Sequence, residues 1–203
     1  LKQRQGCSWN IITKLNKGEK TVLEQIKDST DKLTIMPTIL MAHSAEVYLN
    51  EKFQKELLEA KEKQFIHKIG VSLYSEEEIN QVLEMSFKPD VIQIPLNILD
   101  TRLYRHGVLE KLFNKKIDIH VRSAFLQGMF YLSQTDLADR FGDVVSYIDK
   151  LKSITAKADF SLAELSLLWL VSLNEVSKVI IGVDNVNQSK VHLETLKKNV
   201  DVS

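Results

Sequence analysis

Short runs of apolar residues alternate along the chain with longer stretches that have helical periodicity. Each short run is at most seven residues long, rich in Ile and Val, and bounded by polar or turn residues, which is typical of β-strands. The predicted strands are Trp9–Thr13, Thr38–Ala42, Lys68–Ser72, Asp90–Pro95, Ile117–Ser123 and Lys178–Val183. Because each is followed by a helical stretch, the pattern predicts parallel strands joined by crossover helices.

Three of the predicted helices have a clear start. A Ser or Thr followed three residues later by Glu forms a capping box, which satisfies two backbone N–H groups; the pairs are Thr21 with Glu24, Ser75 with Glu78, and Ser161 with Glu164. The helix at 162–173 is apolar nearly all round, so we expect it to be deeply buried. One amphipathic helix is predicted over 137–151, and the polar stretch at 133–136 is interpreted as an active-site loop.

Two α/β architectures have this order of elements: an open doubly wound sheet and a closed (β/α)8 TIM barrel. The predicted strand ends recur 29 residues apart, which suits the barrel; the pairs are Lys14 with His43, His43 with Ser72, and Gln93 with Arg122. No Gly-x-Gly-x-x-Gly follows a strand, which disfavours a Rossmann fold. We therefore predict a single domain, residues 1–203, with six of the eight βα units, and we expect the remaining ~60 residues before Leu1.

Composition excludes several functional classes. The chain has 27 basic and 27 acidic residues, so it lacks the basic surface expected of a nucleic-acid-binding protein. A single cysteine, Cys7, excludes an intrachain disulfide and favours a reducing, cytoplasmic location. The longest apolar run, Leu165–Leu173, is too short to span a membrane. His67, His106 and His120 lack the spacing of metal ligands, so we expect no metal site. From the charge balance and the length of the apolar runs, we expect neither a nucleic acid nor a membrane as a partner.

Polar residues interrupt the apolar pattern at the carboxyl ends of several predicted strands. Because side chains alternate across a strand, those in phase with one another share one face, which we interpret as the interior. Active sites of TIM barrels are built at these carboxyl ends. Four polar residues are expected at or near these ends, namely Lys14, His43, Gln93 and Arg122, and Asp118 and His120 share the interior face of their strand with Arg122.

Six segments together resemble the aldo-keto reductase superfamily. They occur in the order found in that family, from Trp9 to about Leu196; they are Trp-Asn-Ile-Ile-Thr-Lys at 9–14, Ile-Leu-Met-Ala-His at 39–43, Ile-Gly-Val-Ser at 69–72, Val-Ile-Gln-Ile-Pro-Leu-Asn at 91–97, Val-Arg-Ser-Ala-Phe-Leu-Gln-Gly at 121–128 and Val-Ile-Ile-Gly-Val-Asp-Asn at 179–185. The resemblance implies a barrel, present here from its third strand to its eighth, that reduces carbonyl groups with hydride from a nicotinamide cofactor.

Catalysis in that family uses an Asp, a Tyr, a Lys and a His. The resemblance implies that Lys14 is the Lys at the end of the third strand and that His43 is the His at the end of the fourth. The Asp and the Tyr belong to the region of the second strand, which the resemblance places upstream of Leu1. A Lys beside a Tyr lowers the pKa of the phenol, and a His can orient the carbonyl and share the proton.

The resemblance also implies a binding site for the cofactor. Ser72 and Gln93 match residues that hold the nicotinamide carboxamide, and Arg122 stands where many members have an aromatic residue on the nicotinamide ring. Ser123 and Phe125 match the pyrophosphate loop. The segment after the eighth strand matches the one whose backbone amides hold a phosphate; its residues are Gly182, Asp184, Asn185 and Gln188.

Some positions depart from the family pattern. Leu73 stands where the family often has Asn, and His192 replaces a frequent Asn near the adenine. Gly182 and Gln188 stand where some members carry basic residues for the 2′-phosphate. NADP is therefore expected from the family alone, with NAD as the alternative.

Three functions are compatible with the sequence. The first is an NAD(P)H-dependent oxidoreductase that reduces a small-molecule carbonyl (an aldehyde, a ketone or a sugar-derived carbonyl) to an alcohol. The second is a reductase-like barrel that binds the cofactor without catalysis, as a binding or regulatory protein. The third is an unrelated phosphate-binding barrel enzyme. An Asp and a Tyr in the loop of the second strand would favour the enzyme.

Overall fold

The structure of the chain is a computed structural model that describes residues 10–15, 18, 20–157 and 159–198. These residues form two compact units. The first unit takes its residues from Leu1–Ile94 and Leu112–Asp118, and the second takes its residues from Pro95–Lys111 and Ile119–Ser203. Cys7 and Trp9 lie outside the described residues.

The first unit contains a parallel sheet whose strands are connected through helices. Each strand pairs in parallel with the next one along the chain, as the alternation of strands and helices predicts. The elements are β1 (Ile12–Leu15), α1 (Val22–Leu33), β2 (Ile39–Ala42), α2 (Ala45–Tyr48), α3 (Glu51–Glu62), β3 (Lys68–Ser72), α4 (Glu76–Glu84) and β4 (Val91–Pro95).

β2, β3 and β4 are buried on both faces over most of their length, which is typical of parallel strands covered by helices, whereas β1 is largely half-buried or exposed. Leu40 and Ile92 are fully buried. Gly70 permits a close approach of its neighbours, since a Cβ there would lie 3.0 Å from Met41 Cε and 3.1 Å from the Val91 carbonyl oxygen. A larger residue at this position would therefore force the neighbouring strands apart.

The second unit is mainly helical and contains one parallel pair of strands, β5 with β6. Ser166 fixes the buried helix α9, because its hydroxyl donates to the Ala124 carbonyl oxygen at 2.8 Å. The elements that lie wholly or partly in this unit are α5 (Arg102–Arg105), α6 (Val108–Asn114), β5 (Asp118–Arg122), α7 (Gln134–Phe141), α8 (Val145–Lys157), α9 (Leu162–Ser172), β6 (Val176–Val179) and α10 (Val186–Thr195).

The helix starts predicted from the sequence are confirmed. All three capping boxes form: Thr21 caps α1, Ser75 caps α4 and Ser161 caps α9, each with a Glu at the third helical position. The nearly all-apolar helix is also confirmed as α9, with six of its residues buried. These features were predictable because they depend on residues three or four positions apart.

The last predicted strand is wrong in its position. We expected Lys178–Val183, whereas β6 is Val176–Val179. The Ile180 N–H still donates to the Val121 carbonyl oxygen at 2.7 Å, and after it the chain leaves the sheet. Ile180 and Val183 are exposed, so the apolar composition of this segment does not reflect burial in a strand.

The prediction for residues 133–151 is also wrong. The polar stretch is not a loop, because the Ser133 hydroxyl accepts from the Asp136 N–H at 3.1 Å and begins α7. The single expected amphipathic helix is two helices, α7 and α8, with a short 3-10 turn at 142–144 between them. Consequently Leu137 and Ile148 are buried while Phe141 is exposed, and the apolar residues do not form one continuous face.

Within the described ranges, no helix is both long enough and apolar enough to cross a lipid bilayer.

Candidate functional site

Four predicted site residues of the first unit lie at or near the carboxyl ends of its strands. Lys14 lies within β1, one residue before its end, and its Nζ is 3.5 Å from the Ser72 Oγ at the end of β3. Ser72 and Gln93 are register partners on β3 and β4. His43 directly follows β2. The parallel register therefore brings together residues that are far apart in the sequence.

His43 is held at this edge through its backbone. The His43 N–H donates to the carbonyl oxygen of Leu15 at 3.0 Å. Leu15 is the residue that follows Lys14. The residue after His43, Ser44, caps α2 and accepts from the Val47 N–H at 3.4 Å. These two hydrogen bonds fix the backbone of His43 next to the end of β1. The imidazole, which is exposed, therefore extends from a fixed position.

Ser72 and Gln93 differ from Lys14 and His43 in their exposure. Ser72 is 1% exposed and Gln93 is 4% exposed, while Lys14 and His43 are open to solvent. Leu73 is fully buried, and its N–H donates to the Gln93 carbonyl oxygen at 2.9 Å. The departure from the family pattern at position 73 thus places a core side chain where a hydrogen-bonding amide would stand.

The second unit contains a cavity of about 440 Å³ between the loop after β5 and the segment after β6. Most of the cofactor residues expected in this unit line it, which the sequence could indicate only through the family resemblance. The lining residues are Arg122, Ser123, Ala124, Phe125, Gln127, Gly128, Tyr131, Ile180, Ile181, Gly182, Asp184 and Gln188.

Asn185 is the predicted cofactor residue of this unit that does not line the cavity. Its Oδ1 accepts from the Gln188 N–H at 3.0 Å and caps α10. The Gln188 Oε1 accepts in turn from the Asp184 N–H at 2.7 Å. Asn185 therefore fixes the turn that carries Asp184 and Gln188 into the cavity wall.

The loop after β5 has an unusual backbone. Ser123, Leu126 and Gln127 have φ angles of 64°, 46° and 54°, and Gly128 has a φ of 88°. Residues other than glycine adopt this left-handed region at a cost, and such strain is concentrated where a chain surrounds a ligand. The strained loop forms one wall of the cavity.

Arg122 ends β5 and reaches the cavity, where its Nη1 donates to the Ser123 Oγ at 3.2 Å. The other two polar residues of β5 do not line the cavity. His120 is 1% exposed, and Asp118 is partly exposed in an ion pair with Lys68. Of these three in-phase residues of β5, Arg122 therefore reaches the cavity, His120 is buried, and the carboxylate of Asp118 at the start of β5 pairs with Lys68 at the start of β3.

Three rings pack together beside the cavity. Phe125 stacks on His192, with ring centroids 5.0 Å apart and an interplanar angle of 13°. The ring centroid of Tyr131 lies 5.4 Å from that of Phe125. Burial, followed by the charge of Glu164, raises the pKa of the Tyr131 phenol to about 12. The sequence did not single out Tyr131 as a site residue, because it lies three residues beyond the recognised motif 121–128.

We expect His192 to make stability depend on pH. Burial lowers the pKa of its imidazole below the ordinary 6.5, so the unfolded chain binds a proton under conditions where the folded chain does not. The free energy of unfolding is therefore highest above about pH 6.5 and declines below it. Urea unfolding between pH 7.5 and pH 5 should show this decline, and His192→Gln should reduce it. The exposed His106→Gln is the control; equal slopes in both variants would contradict the assignment.

In the part of the chain that the structure describes, no group of three or more His, Cys, Asp or Glu residues is arranged to hold a metal ion. Asp100 and Arg102, in the segment after β4, form an ion pair with Nε to Oδ1 at 2.8 Å. Tyr48 has a structural role, because its buried hydroxyl donates to the Phe87 carbonyl oxygen at 3.1 Å.

Comparison with known proteins adds an independent result. Among solved structures, a thermostable aldo-keto reductase in complex with the inhibitor epalrestat matches with a TM-score of 0.72 and 16% identity, over 95% of this chain and 67% of that chain. An aldo-keto reductase from Bacillus halodurans, in its holo form, matches with a TM-score of 0.75 and 17% identity, over 94% of this chain and 68% of that chain. A search of curated proteins found no match.

The structural matches show a shared fold, and the sequence itself gives the family. The model of the Aldo/keto reductase family matches residues 11–202. Since this match includes almost the whole sequence, the chain belongs to the aldo/keto reductase family.

Proposed function

We propose that the protein is an NAD(P)H-dependent oxidoreductase that reduces a small-molecule aldehyde, ketone or sugar-derived carbonyl to an alcohol. The observation that carries this proposal is the cavity of the second unit, which is lined by six residues that the family resemblance assigns to cofactor binding. Membership of the family supports the oxidoreductase class. The proposal includes a cytoplasmic location and the correspondence of β1–β6 to the third to eighth strands of a TIM barrel.

The cavity residues fit a dinucleotide. Arg122 supplies a cation, and the loop after β5, with left-handed residues at Ser123 and at 126–128, forms a wall of the kind that binds phosphate through backbone N–H groups. Gly182 leaves room, since no atom lies within 4 Å of a Cβ built there. Phe125 and Tyr131 add flat apolar surface for a base.

The chemistry at the carbonyl requires a proton donor as well as hydride, which the cofactor supplies when bound. Lys14 places an ammonium group at the carboxyl end of β1, where it favours negative charge on a neighbouring oxygen. The imidazole of His43 can donate a hydrogen bond to a carbonyl and so orient it. We propose Ser72 and Gln93 as the groups that hold the carboxamide of the nicotinamide.

Two measurements test the proposed function. Fluorescence titration with NADPH should give saturable binding, and consumption of NADPH at 340 nm should require an added aldehyde such as 4-nitrobenzaldehyde. Saturable binding without turnover of any member of an aldehyde, ketone and sugar panel would favour the second reading, a cofactor-binding or regulatory protein. Absence of NADPH and NADH binding would contradict both readings.

The choice between NADP and NAD is tested through Asp184. We propose NADP on the family resemblance, with NAD as the alternative. The carboxylate of Asp184 lies in the cavity wall, and it repels NADPH more than NADH because the 2′-phosphate adds ~2 negative charges. Asp184→Asn should therefore tighten NADPH binding several-fold more than NADH binding, as measured by parallel titrations. Asp139→Asn, on the exposed face of α7, is the control; an unchanged NADPH to NADH ratio would remove Asp184 from the phosphate site.

A further inference from the structure

A second hollow of the second unit shares no residue with the cofactor cavity. It has a volume of about 380 Å³ and is lined by Ile98, Thr101, Tyr104, Arg105, Leu165 and Trp169. Tyr104 and Trp169 meet edge to face, with ring centroids 5.7 Å apart and an interplanar angle of 85°. Together with Ile98 and Leu165 they give the hollow a mainly apolar lining.

A polar hollow of about 500 Å³ adjoins the apolar one, because Thr101 and Arg105 line both. Its remaining lining residues are Leu99, Arg102 and His106. We call the two connected hollows the α5–α9 pocket. The volume of each hollow is within the range of small-molecule sites.

The charges of the α5–α9 pocket are unequally satisfied. Arg102 is held by Asp100 through two hydrogen bonds, Nε to Oδ1 at 2.8 Å and Nη2 to Oδ2 at 2.9 Å. The Arg105 guanidinium, in contrast, forms no hydrogen bond or ion pair with the residues that the structure describes. Asp100 therefore neutralises Arg102, whereas the Arg105 guanidinium is available to an anionic ligand.

We propose that the α5–α9 pocket binds a small aromatic monocarboxylate. The flat body of such a ligand packs against Tyr104 and Trp169, which prefer offset or edge contacts with another ring. Its carboxylate receives two parallel N–H bonds from Arg105, the geometry that a guanidinium fork favours. A monoanion pairs one to one with the Arg105 guanidinium. The pocket shares no lining residue with the cofactor cavity, so the proposal does not rest on the proposed reductase function.

The test uses 2-naphthoate as the ligand and the uncharged 2-naphthamide as its isosteric control. Isothermal titration calorimetry of the whole chain should show that the acid binds at least tenfold more tightly than the amide. Arg105→Gln should weaken the acid at least tenfold and leave the amide unchanged. Arg140→Gln, which removes an exposed cation of α7, should change neither.

Three results would overturn the proposal. They are equal binding of the acid and the amide, unchanged binding of the acid by Arg105→Gln, and no binding of the acid at roughly 5 mM, the weak end of small-ligand affinity. Tyr104→Ala provides a second test of the apolar wall, and it should weaken the acid and the amide by the same factor. Titration of NADPH at saturating 2-naphthoate separates the two sites: unchanged NADPH affinity supports the α5–α9 pocket, and competition would place the acid in the cofactor cavity instead.

Discussion

Replacing Lys14 with Met is expected to lower kcat for aldehyde reduction about 100-fold or more, the scale of lost general acid–base assistance. The methionine keeps the length and the apolar stem of the side chain but removes the ammonium group that lies 3.5 Å from Ser72 Oγ. We propose that this charge favours the ionised form of the proton donor's oxygen, the role that a Lys beside a Tyr phenol has in this family. Lys14→Met would remove that effect. Steady-state kinetics with NADPH and a saturating aldehyde measure the effect.

The control for this experiment separates chemistry from folding and from cofactor binding. Lys55→Met removes an exposed lysine of α3 and should leave kcat unchanged. The NADPH affinity of Lys14→Met should also stay within a few-fold of that of the unmodified protein, because we propose Lys14 for the proton transfer and it does not line the cofactor cavity. A normal kcat in Lys14→Met would exclude Lys14 from the mechanism, and loss of NADPH binding would reassign it to cofactor binding.

The accuracy of the fold prediction follows the range of the interactions involved. The capping boxes at Thr21, Ser75 and Ser161 are local, and all three form as predicted. The four strands of the first unit have apolar residues on both faces, so their positions were readable within one to three residues. The same reasoning failed at Ile180 and Val183, because a run of exposed apolar residues has the same composition as a buried strand.

The candidate site was predictable where the chain has recognisable motifs and not where it depends on packing. The motif at 121–128 led to Arg122, Ser123 and Phe125, which all line the cavity. The stacking of His192 on Phe125 was not predictable, since α10 and the loop after β5 meet only through tertiary structure. Asp118 was assigned to the interior by strand alternation alone, which cannot show that Lys68 lies within reach of it.

Replacing Arg122 with Tyr is expected to shift the preference between the oxidised and the reduced cofactor by about tenfold. We propose that the guanidinium packs on the nicotinamide ring, where it tolerates the neutral reduced ring and repels the oxidised cation. Two unit charges 4 Å apart interact by about 4 kcal/mol near a protein surface before further screening. A residual 1.4 kcal/mol corresponds to tenfold in affinity. Parallel titrations with NADP+ and NADPH should show NADP+ binding tightened relative to NADPH in Arg122→Tyr.

The same titrations distinguish two positions for the guanidinium. At the nicotinamide ring Arg122 acts on a group whose charge changes with oxidation, so its removal changes the affinity ratio of the two cofactor forms. At the pyrophosphate it acts on charges that both forms share, so its removal weakens both equally and leaves the ratio unchanged. The hydrogen bond from Arg122 Nη1 to Ser123 Oγ holds the guanidinium beside the phosphate-type loop, which makes the second position the one to exclude. Arg140→Tyr controls for the loss of one positive charge elsewhere, and an unchanged ratio in Arg122→Tyr would assign Arg122 to the phosphates.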